Sequence, residues 1–399
     1  MSAYLDNNAT TACAPEVVSA LLPFFSEQFG NPSSMHEFGS KVEGAIRNAR
    51  SEVQQLLGAA HDSEIIFTSC ASESNNTAIH SALKVQSGRK EIITTAVEHP
   101  AVLNLCKYLA EHEGYTLHIL PVDGRGRLDL EHYESLLSER TALVSIMWAN
   151  NETGTLFPVM KMAEMAKGVG ALFHTDAVQA AGKVPINLKD SAIDMLSLSG
   201  HKLHAPKGIG VLYLRRGLRY RPLLRGGHQE RGRRAGTENV TGIVGLGEAA
   251  RLAREHMNEE WTTVKRLRDR LEVGVLLQTP YSFVTGDPEN RLPNTANIAF
   301  EYIEGEAILL HLNQAGIAAS SGSACTSGSL EPSHVMRAMG IPYTAAHGTV
   351  RFSLSRYTTE AEIDHVIASV PKIIAHLRKL SPYWGESGPA QKAFQPEYA

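Results

Sequence analysis

The chain has 399 residues, 43% of them hydrophobic, which suits about two ordinary globular domains rather than one. Its formal net charge of −4 at pH 7 gives no general pull toward nucleic acid or acidic membranes. No apolar run approaches the ~20 residues of a membrane span and the start lacks a targeting pattern, so a cytoplasmic protein with no membrane contact is expected.

In chain order, Val42, Ala45, Ile46, Ala49, Val53 and Leu56 recur at helical spacing, and residues 64–68 then read as a buried strand. Further short apolar runs follow at 91–97, 116–122, 142–149, 171–175, 195–199 and 209–214, most of them separated by helix-length segments. That alternation predicts an α/β fold with a mostly parallel sheet covered by helices on both faces. A helical stretch from about 238 to 277, broken or kinked near Gly245 and Gly247, leads out of it. Strands at 295–300 and 349–354 and helices near 304–315 and 359–379 predict a smaller α+β domain. The large domain is assigned to 15–255 and the small one to 1–14 and 256–380. The tail 381–399, with Pro382, Gly385, Gly388, Pro389 and Pro396, is expected to be loosely ordered.

Ligands in such folds collect at the carboxyl ends of strands, where several polar residues stand. Lys202 follows the 195–199 run; by itself it reads more readily as a solvated surface charge, and its neighbours change that. Asp176, with Gln179 three residues on, follows the 171–175 run, where a bare turn or helix cap is the alternative. Residues 68–73 close a strand and open a helix, whose free backbone N–H groups, with hydroxyls from Ser69, Ser72 and Ser199, suit a phosphate. A lysine able to form a Schiff base, an aspartate able to pair with a pyridine nitrogen and a phosphate cup together describe a pyridoxal 5'-phosphate site. His99, at another strand end, can stack on that ring and move protons, or be satisfied by a neighbouring carbonyl.

Cysteines Cys13, Cys70, Cys106 and Cys325 lie far apart, without zinc or disulfide spacing, so free thiols and no protein-bound metal are expected. Cys325 sits in a run of serine, glycine, alanine and threonine (320–329) that packs neither as a helix face nor as a pleated strand. It is a chance surface thiol or one placed for its reactivity.

These residues resemble the cysteine desulfurases, within fold type I of the pyridoxal-phosphate enzymes. The segments that carry the likeness are 4–11, 30–34, 97–99, 150–154, 174–179, 199–202, 234–239 and the cysteine loop, in order along nearly the whole chain. The long loop is similar to that of the subgroup serving iron–sulfur scaffolds, and 204–208 with 226–232 to the nitrogen-fixation type. The resemblance implies a seven-stranded large domain, a homodimer, L-cysteine as substrate, an iron–sulfur scaffold protein as sulfur acceptor, and use in nitrogenase maturation. It also implies roles. Lys202 would carry the cofactor, Asp176 would pair with the ring nitrogen, and Gln179 would reach the phenolic oxygen with Asn151 nearby. Ala71, Ser72, Ser199 and His201 would hold the phosphate, joined by Thr237 of the other subunit. Arg351 would clamp the substrate carboxylate, helped by Asn31. Cys325 would take the sulfur as a persulfide, with His99 helping to deprotonate an incoming thiol, leaving alanine. Cys70 and Ser72 stand where many relatives carry glycine and threonine.

An aminotransferase or a selenocysteine lyase would use the same cofactor, but transamination needs no second thiol. A stripe of arginines (Arg215, Arg216, Arg219, Arg221, Arg225, Arg231, Arg233, Arg234) can track nucleic-acid phosphates. The few aromatics there and the slightly acidic chain argue for no nucleic acid.

Overall fold

The computed structural model describes residues 2–321, 332–385 and 388–390. After a two-residue strand β1 (Ala3–Tyr4) come the strands of the main sheet: β2 (Ile65–Thr68), β3 (Glu91–Thr95), β4 (Thr116–Leu120), β5 (Thr141–Ser145), β6 (Leu172–Asp176), β7 (Met195–Ser199) and β8 (Gly210–Leu214). Their spatial order is β2-β8-β7-β6-β5-β3-β4, a seven-stranded sheet. Only β8 runs against its neighbours β2 and β7; every other pairing is parallel.

Strands β2, β3, β5, β7 and β8 are buried at every position, as expected when helices cover both faces of a parallel sheet. Alternate residues divide between two apolar layers, Ile65 and Phe67 on one face and Ile66 on the other, because successive strand side chains point to opposite sides. The Glu37–Leu56 and Val240–Glu255 helices supply Val42, Val53, Ile243 and Leu246 to the first layer, and the Ala71–Val85 and Pro100–His112 helices supply Ile79 and Val102 to the second.

A separate apolar cluster joins Ala3 and Leu5 to Leu271, Ile298, Phe352, Ile363 and Ile374. It lies around the antiparallel strands β9 (Ser282–Val284), β10 (Thr295–Phe300) and β12 (Thr349–Ser353), with β10 central. The strand β11 (Ile317–Ala318) pairs with β1, which ties the N-terminal segment to this cluster. Val335, Met336 and Met339 pack instead into the first layer of the main sheet.

Two expectations are corrected. The helix Val240–Glu255 runs unbroken through Gly245 and Gly247. These glycines serve close packing: a Cβ on Gly247 would stand 2.5 Å from Ala49 Cα, and one on Gly245 3.0 Å from Pro206 Cδ. The irregularity falls later, in a π turn at Glu260–Val264. Beyond Leu380 the chain is not loosely ordered throughout. Trp384–Gly385 pairs with Gly388–Pro389, and Trp384 packs edge-on to Tyr281 and 4.7 Å from the Arg378 guanidinium, a cation–π anchor for the hairpin. The rest of the tail, 391–399, lies outside the described residues.

Candidate active site

One cavity of about 270 Å3, at the carboxyl ends of β2, β3, β5, β6 and β7, is lined by Lys202, Asp176, His99, Gln179, Asn151, Ser72, Ala71, Ser199, His201 and Arg351. All but Arg351 lie at or after strand ends of the main sheet, where parallel-sheet ligands gather; Arg351 comes from β12 of the three-stranded sheet, 280 positions beyond Ala71.

Asp176 ends β6 and is buried. Its Oδ2 accepts from Asn75 Nδ2 at 2.7 Å and its Oδ1 from the Val178 N–H at 3.0 Å. These bonds fix the carboxylate's plane. Asn75 belongs to the Ala71–Val85 helix, and its own Oδ1 is buried without a hydrogen-bond partner.

His99 precedes the Pro100–His112 helix and its Nδ1 accepts the Ala101 N–H at 3.2 Å. Burial pushes its pKa below the ordinary histidine value; Lys202 and His334 add to this, and Asp176 opposes it. The ring is therefore neutral at pH 7, and with Nδ1 accepting it carries its proton on Nε2.

Lys202 lies in a short helical turn directly after β7. Its Nζ donates to the carbonyl of Asn8 and, at 2.7 Å, to that of Ala9. The N-terminal segment is held over this turn: the Thr11 N–H and hydroxyl both donate to the His201 carbonyl, at 2.9 and 3.0 Å. Gln179 Nε2 also donates to Asn8 O at 2.9 Å, while its Oε1 is buried and unpaired.

The Ala71–Val85 helix opens at Cys70 without a side-chain cap, leaving first-turn N–H groups for an anion. Gly210 allows β8 to approach here, since a Cβ on it would meet the Cys70 carbonyl carbon at 2.7 Å. Glu73 is kept off the anion: Ser69 and Arg234 bind its carboxylate at 2.5 to 3.2 Å. Burial would raise the Glu73 pKa, but these bonds outweigh it and the net shift is downward. His201 Nδ1 is hydrogen-bonded to Thr10 Oγ1 at 3.1 Å, and burial, with Lys202 and Lys207, pushes its pKa down to about 4.

Arg351, on β12, is 3% exposed. Nη1 donates to Asn151 O at 2.8 Å and Nη2 pairs with Asp6 at 3.0 Å, while Nε is buried with no hydrogen-bond partner. An unspent guanidinium edge at the cavity suits a carboxylate ligand.

The residues fit pyridoxal phosphate. An uncapped helix end, a fixed carboxylate and a lysine line one cavity together with Asn75, Gln179 and Arg351, each of which keeps one buried polar atom (Oδ1, Oε1 and Nε) without a hydrogen-bond partner; buried polar atoms left without partners cost stability unless a ligand satisfies them.

Thr237 and Asn31 are exposed and stand outside this lining, and Cys325 lies outside the described residues. Reading the sequence alone missed Asn75, Asn8 and Asp6. The run of polar residues Ser74, Asn75, Thr77 and Ser81 on the buried face of a helix was the available signal for the first. It also missed Glu98, fully buried, whose Oε1 accepts from Thr95 Oγ1 at 2.8 Å and the Met147 N–H at 2.9 Å. Burial pushes its pKa up to about 8, only partly opposed by those bonds, so it is mostly neutral at pH 7. Much of the arginine stripe is spent inside the chain: Arg215 donates to the carbonyls of Leu188, Ser191 and Ile193 at 2.7 to 3.0 Å, and Arg233 to that of Ser63 at 2.7 Å.

The aminotransferase class-V family model matches residues 3–366. Over 398 residues, and 99% of each chain, the sequence is 71% identical to "Cysteine desulfurase NifS" of Azotobacter vinelandii. It is 66% identical to a cysteine desulfurase of Gluconacetobacter diazotrophicus, again over 99% of both. Among solved structures, "NIFS-LIKE PROTEIN" superposes with a TM-score of 0.88 at 39% identity, covering 94% of this chain and all of that one. "SspA in complex with cysteine" superposes with a TM-score of 0.79 at 36% identity, covering 90% of this chain and all of the other. The chain belongs to the aminotransferase class-V family and, within it, to the cysteine desulfurases.

Proposed function

We propose that Lys202, Asp176, His99 and Arg351 act together on L-cysteine and that Cys325 receives its sulfur. The chain is a pyridoxal-phosphate-dependent cysteine desulfurase; the assignment of roles to its residues rests on the convergence of these four side chains in one cavity beside an uncapped helix end.

When bound, pyridoxal phosphate supplies an electron sink conjugated to the substrate's amino group. Asp176, held by Asn75 and Val178, keeps the ring nitrogen protonated. Ser72, Ser199, His201 and the N–H groups at Ala71 would hold the phosphate, and Gln179 and Asn151, which line the same cavity, would contact the ring. Arg351 binds the substrate carboxylate through its unspent edge. Lys202 Nζ would hold the cofactor's aldehyde carbon and, when free, would take the proton from the substrate's Cα. The thiolate of Cys325 attacks the substrate sulfur. An S–S bond forms as the Cβ–S bond breaks, the electron pair passes to Cβ, and protonation at Cβ together with return of a proton to Cα completes L-alanine.

His99 was expected to remove a thiol proton. With Nδ1 accepting the Ala101 N–H, the neutral ring offers only an N–H at Nε2, so as placed it donates a hydrogen bond into the cavity. Accepting one requires the Ala101 contact to open.

We further read the chain as a homodimer. Leu22, Phe25, Phe29, Met35 and Phe38 are all more than half exposed, an apolar surface larger than isolated exposed residues make. Asn31 lies among them, and with Thr237 it would reach the other copy's cavity. The separate cluster around Leu5, Ile298 and Phe352 supports the division into 15–255 and 1–14 with 256–380, although the packing of Val335 and Met336 on the main sheet blurs that boundary. The sulfur acceptor is read as an iron–sulfur scaffold protein and the use as nitrogenase maturation, on the likeness to the nitrogen-fixation type. Among the described residues no helix is long and apolar enough to cross a membrane, and Cys13, Cys70 and Cys106 are free thiols, which supports a cytoplasmic location.

Borohydride reduction of the purified protein tests the assignment of Lys202. The cofactor mass is expected on the peptide containing Lys202; its recovery on another lysine, or on none, contradicts the reading.

A further inference from the structure

Residues 322–331 carry Cys325, and described residues on either side of them are bonded to Arg351, which lines the cavity, and to Glu152 and Glu98, which adjoin residues that line it. On one side Ser320 exchanges backbone hydrogen bonds with Arg351, at 3.2 and 2.6 Å. On the other, Ser333 Oγ donates to Glu152 Oε2 at 2.6 Å, and His334 Nε2 donates to the Glu98 carbonyl at 2.9 Å. Glu152 follows Asn151, whose carbonyl accepts from Arg351, and Glu98 precedes His99. Both attachments on this side are thus made to residues adjacent in sequence to groups of the site.

Glu152 is 3% exposed. Its backbone is rigid, since Asn150 Oδ1 accepts the N–H groups of Glu152 and Thr153 at 2.9 and 3.0 Å, and Asn297 Nδ2 donates to the Glu152 carbonyl at 3.2 Å. Ser333 uses the same hydroxyl to cap the His334–Ala338 helix, accepting the Val335 N–H at 3.1 Å. One carboxyl therefore sets where that helix starts and where the chain leaving residue 331 is fastened. A buried carboxyl is a costly way to fill core space, which favours a function for it. Burial pushes its pKa up, opposed by Ser333, His334 and Arg351.

We propose that Glu152 is a positioning residue for sulfur transfer, fixing through Ser333 the end of the Cys325 segment against the Asn151–Arg351 wall. This rests on the reading that Cys325 receives the sulfur.

The test uses the holoenzyme with three variants, Glu152→Ala, Glu152→Gln and Ser333→Ala. It records the visible spectral change on adding L-cysteine and, separately, the rate of alanine formation. In Glu152→Ala the spectral change is expected to half-saturate within about threefold of the parent concentration. Its kcat for alanine is expected to fall about 100-fold, the effect of misplacing a reacting group by about 1 Å. Glu152→Gln keeps an acceptor for Ser333 and is expected to recover most of that loss. Ser333→Ala, the mildest change to the fold, is expected to lower kcat about tenfold with an intact spectral change, the worth of one hydrogen bond. The proposal is overturned if Ser333→Ala and Glu152→Ala both keep the parent kcat, if both lose the spectral change along with turnover, or if Glu152→Gln is no better than alanine. Cys325→Ala in the same assay separates the two readings. If that variant forms alanine at the parent rate, the role of Cys325 fails, whatever the Glu152 variants do.

Discussion

Replacing Lys202 by arginine is expected to lower alanine formation from L-cysteine by about three orders of magnitude while leaving the fold in place. Arginine is chosen because Lys202 Nζ has a structural task as well, donating to the carbonyls of Asn8 and Ala9 and so holding the N-terminal segment over the cavity. A guanidinium can keep those bonds and the positive charge. Its pKa of about 12.5 or more leaves it permanently protonated, so it neither condenses with an aldehyde nor accepts a proton from Cα. Lys202→Ala confounds the two tasks, because it also removes both of these bonds, leaving the Asn8 carbonyl only its bond from Gln179 Nε2. Unfolding free energies from urea denaturation should therefore agree within about 1 kcal/mol between the parent and the arginine variant. Turnover within a factor of about ten of the parent would remove Lys202 from the chemistry.

The largest stability effect is expected at a pair outside the cavity. Arg50 and Glu230 form a two-bonded ion pair at 2.6 and 2.8 Å, with side chains 10% and 4% exposed. Glu230 Oε2 also accepts the Phe67 N–H at 3.1 Å, and the Arg50 guanidinium lies 4.7 Å from the Phe67 ring centroid while donating to Ile65 O at 2.8 Å. The pair thus fastens the loop containing Glu230 to β2, the strand that runs into the phosphate-binding turn. Glu230 holds φ of +49° and Arg231 +59°, left-handed conformations that side-chain-bearing residues rarely adopt. Glu230→Ala leaves the Arg50 charge buried and one strand N–H unpaired, and about 3–5 kcal/mol of unfolding free energy should be lost. Urea denaturation at matched protein concentration measures it. A loss under about 1 kcal/mol would show that the pair behaves like a screened surface contact. Arg234, four residues on, holds Glu73 in the first turn of the phosphate-binding helix, so weaker cofactor retention should accompany the loss of stability.

Much of the sheet and the reactive residues could be read from the sequence because each lies where a short apolar run ends. Asp176, Ser199, Lys202 and His99 all follow strands buried at nearly every position, and burial on both faces writes itself as unbroken apolar runs. Residues that act through long-range contact left no such mark. Asp6 reaches Arg351 across 345 positions, and Asn75 looks like an ordinary helix residue until the helix is laid against β6. Arg351 sits within a strand, and only the family likeness singled it out. Gly245 and Gly247 misled for a related reason. Glycine is a poor helix former in isolation, yet here the missing side chains let two helices meet, a gain in packing that outweighs the local preference. Glu98 and Glu152 were invisible because a carboxylate in a short polar motif reads as solvent-facing, and only the packing around them shows otherwise.

The fate of the substrate's sulfur tests the assigned chemistry most directly. The holoenzyme is mixed with one equivalent of L-cysteine, quenched in acid with an alkylating reagent, digested, and its cysteine peptides are weighed while released alanine is counted. One added sulfur on the Cys325 peptide, matching the alanine formed, with none on the Cys13, Cys70 or Cys106 peptides, is the predicted result. Stoichiometric alanine with an unmodified Cys325 peptide would contradict it.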